Sequence, residues 1–136
     1  MEYALYALLA LAAAAALFLL YKQLAPRFAG RDRRKLDMQI VKLSQAIRRN
    51  PNDSTLFTKR GIVRFRKKDT KGALEDLDQA LTLDADNTEA HYHLGCVLRG
   101  MGNDRAAMKE FQWVREHSED PYYQTAVRDQ IKSLRG

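Results

Sequence analysis

One constant interval relates two stretches of this chain, and it constrains the possible fold more than any other feature of the sequence. It is the interval from Gly61 to Gly95, which we call the repeat period. A period of about 34 residues is typical of a helix-turn-helix unit. One such hairpin is too small to bury its own apolar stripe, so neighbouring hairpins must stack into a solenoid. The positions that match at this interval are Phe57 and His91, Arg60 and Leu94, Gly61 and Gly95, Ala73 and Ala107, and Leu77 and Phe111.

Two of the matched positions are glycines in the middle of predicted helices. Gly61 and Gly95 each cost ~1 kcal/mol there relative to alanine. We expect this cost to be offset by close approach of the paired helix, with Ala73 and Ala107 as small neighbours.

The matched residues resemble the tetratricopeptide repeat (TPR) family, whose pattern is W-x₂-L-G-x₂-Y…A-x₃-F…P. The resemblance runs from about Leu36 to Leu134. It implies a protein-interaction domain in which the first helix of each repeat lines a concave groove. Some consensus slots are occupied differently: Phe57 and His91 stand for Trp, Arg60 for the first Leu, and Arg64 and Leu98 for Tyr.

We therefore predict an all-α fold, with an N-terminal single transmembrane helix followed by a short TPR α-solenoid in residues 35–136. The solenoid comprises a half repeat at 35–50, repeats at 54–87 and 88–120, and a capping helix at 121–135. Polar caps and apolar spacing place the repeat helices at about 55–67, 71–83, 89–100 and 104–117. The half repeat is predicted from the apolar stripe Leu36, Ile40, Leu43 and Ile47.

The N-terminal segment, residues 1–21, is predicted to be a membrane anchor. No charged residue occurs from Tyr3 to Tyr21, and a helix of that length nearly spans a ~30 Å hydrocarbon core. A cleaved signal peptide is the alternative, but no basic residue precedes Lys22. The basic residues on the far side predict an external N-terminus and a cytoplasmic TPR domain.

Residues 22–34 are predicted to form a basic tether at the membrane surface. Residues 22–71 carry 16 Lys/Arg against 4 Asp/Glu, whereas residues 72–136 carry 7 against 12. The basic end adjoins the anchor, which favours contact with anionic lipid. We expect Pro26, Ala29 and Gly30 to break the helix. The predicted membrane-surface residues are Arg27, Arg31, Arg33, Arg34 and Lys35.

The anchor is rich in alanine, which fills eight of the positions from Tyr3 to Tyr21. Small side chains allow another transmembrane helix to approach closely. A simple alanine-rich anchor explains the composition equally well, and both interpretations remain open.

Neither an enzyme nor a cofactor or metal site is predicted. The single cysteine, Cys96, excludes an internal disulfide and a cysteine-based metal cluster. His91 and His93 lie ~200° apart around a helix and cannot share a metal. His91 occupies a packing slot, and Cys96 is expected to be a half-buried structural residue rather than a reactive thiolate. No phosphate-binding glycine loop or EF-hand loop occurs.

The helix that contains Gly61 is strongly basic. Six of the ten residues from 59 to 68 are Lys or Arg. They form either a solvated face opposite Glu75, Asp76 and Asp78 or a site for an acidic protein partner. Nucleic acid is not expected, because the patch has few aromatic residues on which bases could stack.

The TPR resemblance assigns partner-binding residues to the first helix of each repeat. A mixed apolar and guanidinium surface suits a peptide that carries a carboxylate. The TPR clamp that grips chaperone C-termini uses Lys and Asn at the slots of Thr58 and Ile62, and Asn at that of His93, so this sequence departs from it. The predicted partner-binding residues are Thr58, Ile62, Phe65, Arg66, Tyr92 and Arg99, with Cys96 beside them.

The predicted function is a membrane-anchored protein-interaction module that acts as a scaffold, assembly factor or accessory subunit of a membrane complex, for example a photosynthetic or respiratory one. A bacterial inner membrane or a thylakoid-type membrane fits this layout. The partner is expected to be a subunit of a membrane complex or an acidic peptide segment. The alternatives are a receptor for targeting sequences, which a basic groove disfavours because presequences are basic, and an enzyme or cofactor-binding subunit.

Overall fold

The computed structural model describes the backbone of residues 2–136 and the side chains of residues 3–24 and 32–136. All regular structure in this part of the chain is helical. The chain divides into two compact units, residues 1–35 and 36–136. The helices are α1 (Glu2–Arg49), α2 (Ser54–Arg66), α3 (Thr70–Leu83), α4 (Thr88–Gly100), α5 (Asp104–His117) and α6 (Pro121–Arg135).

The first unit consists of the N-terminal part of α1. Its segment Tyr3–Leu24 is 22 residues long, apolar and exposed along its length, and it could cross a membrane by length and composition, as could a signal sequence. The predicted break at Pro26 is wrong, because α1 is helical from Glu2 to Arg49. A proline inside a helix removes one hydrogen bond but keeps a helical φ, so an apolar and an amphipathic segment can continue through it.

The second unit begins with the C-terminal part of α1, which carries the predicted half-repeat stripe. Leu36, Ile40, Leu43 and Ile47 are all half-buried, whereas Met38 is exposed. Arg60 donates a hydrogen bond to the Ser44 hydroxyl at 3.0 Å, and Lys67 pairs with Asp37. This part of α1 therefore contacts α2 through polar groups.

The remaining helices form two hairpins, α2–α3 and α4–α5, followed by α6. Their bounds agree with the predicted ones to within one residue. Each of these helices is preceded by a capping residue, whose side chain accepts a hydrogen bond from a backbone amide of the first turn. This bond satisfies one of the amides that are unpaired at the start of a helix. These capping residues are Asp53, Asp69, Asn87, Asn103 and Asp120.

The helices of each hairpin approach closely at the two matched glycines, as predicted. A Cβ atom on Gly61 would stand 3.0 Å from Cγ of Leu77 and 3.2 Å from the Ala73 carbonyl oxygen. On Gly95 it would stand 2.5 Å from Cε1 of Phe111. The predicted small neighbours matter less than the larger side chains at Leu77 and Phe111, which occupy the space that each glycine leaves.

Two apolar clusters form the core. The first joins α3 to α4 and includes Leu77 and Val97, both fully buried. The second joins α5 to α6 and is centred on Phe111, Val114 and Val127, also fully buried. Each of α3, α4 and α5 thus buries one face against the next helix in the chain, which is the packing expected of a solenoid.

A polar junction joins the first hairpin to the second. The side-chain oxygen of Asn87 caps α4 by accepting from the Ala90 amide at 3.0 Å. Its side-chain nitrogen donates to the hydroxyls of Thr58 and Ser54, both at 3.2 Å. One residue therefore starts α4 and binds it to α2.

Candidate partner-binding groove

The basic helix α2 directs part of its charge into the protein. Arg60 donates to Asp76 through Nε at 2.9 Å and through Nη2 at 2.7 Å, and Nη1 of Arg64 lies 3.1 Å from the same carboxylate. Asp76 is 3% exposed. A bidentate pair of this kind is strong when both partners are shielded from water. Two of the six basic residues are therefore structural. They do face the acidic side of α3, but at Asp76 the contact is buried, whereas a solvated face was the prediction.

Thr58, one of the predicted partner-binding residues, is fully buried. Its hydroxyl donates to the Ser54 carbonyl at 3.0 Å and accepts from Asn87. Because it lies inside the junction between the hairpins, Thr58 supports the surface from beneath and offers no atom to a partner.

Ile62, Phe65 and Arg66 lie on the last two turns of α2, and the structure brings Phe65 against α4. Ile62 and Phe65 are half-buried and Arg66 is exposed. A Cβ atom on Gly100 would stand 3.2 Å from Cζ of Phe65, so the phenyl ring fills the space beside that glycine. Among the described residues, Arg66 forms no ion pair.

His93 is a titratable group close to Arg66. Burial of His93 and the positive charge of Arg66 lower the pKa of its imidazole from 6.5 to about 4. The imidazole therefore stays neutral near pH 7, and it adds a polar but uncharged group beside the exposed guanidinium.

Tyr92 lies at the meeting point of α4, α5 and α6. Its ring centroid is 5.6 Å from that of Tyr123 and 6.1 Å from that of Phe111. Burial, followed by interaction with Cys96, raises the pKa of the Tyr92 phenol to about 12. Burial also raises the pKa of the half-buried Cys96 thiol, which disfavours the thiolate and agrees with the structural role predicted for it.

Arg99 is exposed at the end of α4 and donates a hydrogen bond to the side-chain oxygen of Gln130 on α6. The sequence predicts only a capping role for α6, and the contact of Gln130 with Arg99 was not predicted. The signal was present, since Gln130 lies one repeat period after Cys96 and so occupies the equivalent slot of a third unit. In the structure, Tyr92 and Arg99 thus both contact α6, whereas Phe65 and Arg66 both lie beside α4.

His91 is held by polar and aromatic contacts. Its Nδ1 lies 2.7 Å from Glu110 Oε2 and its Nε2 lies 3.0 Å from the Ala85 carbonyl oxygen. Its ring stacks on Trp113 at 3.7 Å. Burial alone would lower the pKa of His91, but the hydrogen bonds to Glu110 and Ala85 raise it above 6.5. Both neighbours are acceptors, so the protonated imidazole satisfies both.

The predicted membrane-surface residues fall on α1. Arg33, Arg34 and Lys35 are exposed, whereas the side chains of Arg27 and Arg31 lie outside the described residues. Within the described part of the chain, no group of three His, Cys, Asp or Glu side chains could hold a metal ion.

These observations define the class of the domain. It is a short solenoid of stacked helical hairpins whose first helices carry exposed arginines beside half-buried aromatic rings. A domain of this class presents an extended surface to other proteins.

Comparisons with known proteins agree with this class. Residues 61–102 match the family model described as TPR repeat. The chain is 32% identical, over an alignment 113 residues long, to tetratricopeptide repeat protein 36 of Xenopus tropicalis, and the match covers 71% of this chain and 56% of that relative. The chain therefore spans little more than half the length of that curated relative.

Two solved structures share the fold. The first TPR of Spaghetti (RPAP3), bound to the HSP90 peptide SRMEEVD, has a TM-score of 0.68 at 20% identity and covers 85% of this chain and 88% of that one. MamA has a TM-score of 0.57 at 18% identity and covers 70% of this chain and 61% of that one. The chain thus contains a TPR repeat and has the fold of TPR solenoids, as the repeat period predicted, and these findings support a protein-interaction module.

Proposed function

We propose that this chain is a membrane-anchored TPR module that binds an acidic segment of a partner protein through the surface of α2 and α4. The observation that carries this proposal is the state of Arg66 and Arg99. Both are exposed, Arg66 forms no ion pair among the described residues, and Arg99 bonds to the neutral amide of Gln130. Two uncompensated guanidinium groups beside Phe65 and Tyr92 favour a partner that supplies carboxylates and an apolar side chain.

The similarity to the peptide-bound TPR of Spaghetti supports a peptide as the form of the partner. The peptide in that structure, SRMEEVD, contains three acidic residues. Thr58, Ile62 and His93 occupy the slots at which the chaperone clamp uses Lys or Asn, and Thr58 is buried. We therefore propose a different acidic partner, such as a subunit of a membrane complex, for which this chain acts by binding as a scaffold, assembly factor or accessory subunit.

The matched test of the groove uses two double variants. Arg66→Glu with Arg99→Glu reverses both proposed binding charges, and Arg105→Glu with Lys109→Glu makes the same charge change on exposed positions of α5. After purification in mild detergent, we expect the partner to be lost from the first variant only. Retention of the same proteins by both variants would contradict the groove proposal.

The anchor offers a second route to recognition through its alanine-rich surface. A soluble domain that begins at Arg31 and a fusion that carries only the anchor separate the two routes. We expect the soluble domain to bind. If it does not bind while the anchor fusion still co-purifies with the partner, recognition lies in the transmembrane helix.

The proposed topology places the TPR domain in the cytoplasm, with Arg33, Arg34 and Lys35 at the inner surface of the membrane. The span Tyr3–Leu24 supports membrane insertion by its length and composition. Proteolysis of sealed vesicles in both orientations tests the arrangement. Digestion of the domain only from the non-cytoplasmic side would show that the orientation is reversed.

A further inference from the structure

A cavity of about 280 Å³ opens between α5 and α6, outside the proposed partner groove, and its floor is the edge of the second core cluster at Ile131. Its lining residues are four basic side chains and one apolar side chain: Arg115, Arg128, Ile131, Lys132 and Arg135. On α6, positions 128, 132 and 135 follow one another at one-turn spacing, so three cations lie along one face of that helix.

This concentration of positive charge contrasts with the surrounding sequence. Residues 72–136 contain 7 Lys/Arg and 12 Asp/Glu, and four of those seven cations line this one cavity. Among the described residues, no acidic side chain lines it. A neighbouring cavity between the same two helices includes Asp104 as well as Arg105 and Lys109. The charge at the first cavity is therefore local and not a property of the whole face.

Two ordinary explanations account for only part of the cluster. Cations in the last turn of a helix interact favourably with its dipole, which explains Arg115, Lys132 and Arg135. Arg128 lies in the middle of α6 and gains nothing from that dipole, because the effect is confined to the terminal turns.

Ion pairing is the other ordinary explanation. Arg115 lies 3.8 Å from Glu116 and Arg128 lies 3.6 Å from Asp129, between exposed neighbours in sequence. Such exposed pairs contribute little. The cluster therefore retains most of its capacity to bind an anion.

The floor of the cavity indicates which kind of anion fits. Ile131 is 5% exposed, and the aliphatic stems of the surrounding Arg and Lys side chains add apolar surface. A phosphate presents several oxygens to several cations at once, and Arg binds it in bidentate fashion. An apolar floor contributes only if the ligand has a carbon-bearing part as well.

We propose that this cavity binds a phosphate ester, with the phosphate among the four cations and the organic part against Ile131. A volume of about 280 Å³ lies just below the usual ~300–1,000 Å³ of pockets for drug-sized ligands, so the ligand is small. Two sources supply this chemistry: the headgroup of an anionic phospholipid and a soluble phosphate ester. The proposal is independent of the α2 and α4 groove.

The experiment uses isoleucine methyl NMR on the full chain in neutral detergent. The sequence contains four isoleucines, Ile40, Ile47, Ile62 and Ile131, so one methyl group reports the site and three serve as internal controls. The added probes are glycerol phosphate, inorganic phosphate, glycerol and succinate. In a second arm the chain is placed in nanodiscs of phosphatidylcholine, with and without phosphatidic acid.

We expect the Ile131 methyl signal to shift with glycerol phosphate, less with inorganic phosphate, and not with glycerol or succinate. Arg128→Gln with Lys132→Gln should weaken glycerol phosphate binding by about tenfold or more. The matched control, Arg105→Gln with Lys109→Gln, removes two charges from α5 outside the cavity and should bind as the wild type does.

The nanodisc arm distinguishes the two sources. A shift that requires phosphatidic acid identifies a lipid headgroup, and a shift with the soluble ester alone identifies a free ligand. The proposal is overturned if neither arm moves Ile131 or if both double variants lose binding equally. It is also overturned if succinate shifts the Ile131 signal as much as glycerol phosphate does, since an acidic protein segment then fits the cavity better. An equal shift with inorganic phosphate would overturn it too, since the apolar floor then has no role.

Discussion

The two hairpins have the same backbone arrangement but are held together by different chemistry. In the first, Arg60 and Arg64 of α2 bind the buried carboxylate of Asp76 on α3. In the second, one repeat period later, the two arginine positions hold Leu94 and Leu98, and both pack in the apolar core. The difference shows that the repeat fixes the spacing between helices, while the contact at each position can be ionic or apolar.

The equivalent carboxylate of the second hairpin pairs with a different kind of residue. Glu110 lies one repeat period after Asp76, and it pairs with His91, which occupies the slot of Phe57. His91 in turn stacks on Trp113. A carboxylate thus stands at this position in both hairpins, with a permanently charged partner in the first and a titratable partner in the second.

The largest expected effect is on the first hairpin. Asp76→Asn removes the carboxylate and leaves two largely buried guanidinium groups without a counter-charge, which costs about 3 kcal/mol or more in the free energy of unfolding. The equivalent change, Glu110→Gln, should cost less than about 1 kcal/mol, because its partner can lose its charge. Urea unfolding followed by circular dichroism measures both. Equal losses would show that the two carboxylates are energetically equivalent.

For substitutions of the two matched glycines, we expect the second hairpin to lose more stability than the first. Gly95→Ala places a Cβ atom 2.5 Å from the fully buried ring of Phe111 and should cost about 2 kcal/mol through overpacking. Gly61→Ala meets Leu77 at 3.0 Å, and the gain of ~1 kcal/mol in helix propensity offsets that tighter contact.

Thermal unfolding of the two glycine variants gives the comparison directly. Phe111→Leu, combined with Gly95→Ala, serves as the control because the smaller side chain makes room for the added methyl group. If Gly61→Ala proves the more damaging substitution, the distances do not govern tolerance at these positions.

The turns inside the hairpins offer a smaller contrast. Lys68 and Gly102 occupy equivalent positions one repeat period apart, and both have a left-handed backbone, with φ of 72° and 78°. A residue with a Cβ atom is strained in that region, so Lys68→Gly should stabilise the first hairpin by about 1 kcal/mol. Gly102→Ala should destabilise the second by a similar amount. Denaturation midpoints that move in the same direction would contradict this expectation.

The smallest effect is the pH dependence of the second hairpin. The folded-state pKa of His91 is raised above its ordinary 6.5, so the charged pair with Glu110 contributes fully below pH 6.5 and is lost as the pH rises through the raised pKa. We expect a loss of less than about 1 kcal/mol. His91→Gln should remove this alkaline dependence, measured as the unfolding free energy between pH 6 and pH 8.

His93 provides the internal control for the pH experiment. Its pKa is lowered to about 4, so it weakens the fold as the pH falls from 6.5 towards 4, where the unfolded chain binds the proton more readily. His93→Gln should therefore flatten the acid side and leave the alkaline side unchanged. If His91→Gln altered the acid side instead, the assignment of the two histidines would be reversed.

Much of the solenoid follows from the sequence, because the repeat period and the polar caps such as Asn87 are local signals. The continuous helix through Pro26 does not follow from the sequence. The cost of the one hydrogen bond that proline removes must be weighed against the continuity of two long helical segments. The site was harder to predict. The helical period gives the direction of Thr58 but not the hydrogen bonds that bury it. Arg60 and Arg64 were predicted to be surface charges, because the sequence does not show that Asp76 lies beside them.

The junction at Asn87 has a consequence for how the domain folds. In a solenoid, the stability of each repeat depends on its interface with its neighbour, and folding can start in one repeat and spread to the next. Here the residue that caps α4 also binds the hydroxyls of Ser54 and Thr58, so the hydrogen bonds at the start of the second hairpin are complete only when α2 is in place. These hydrogen bonds add to the interface that couples the two repeats, so we expect a substitution at Asn87 to lower the cooperativity of unfolding as well as the stability.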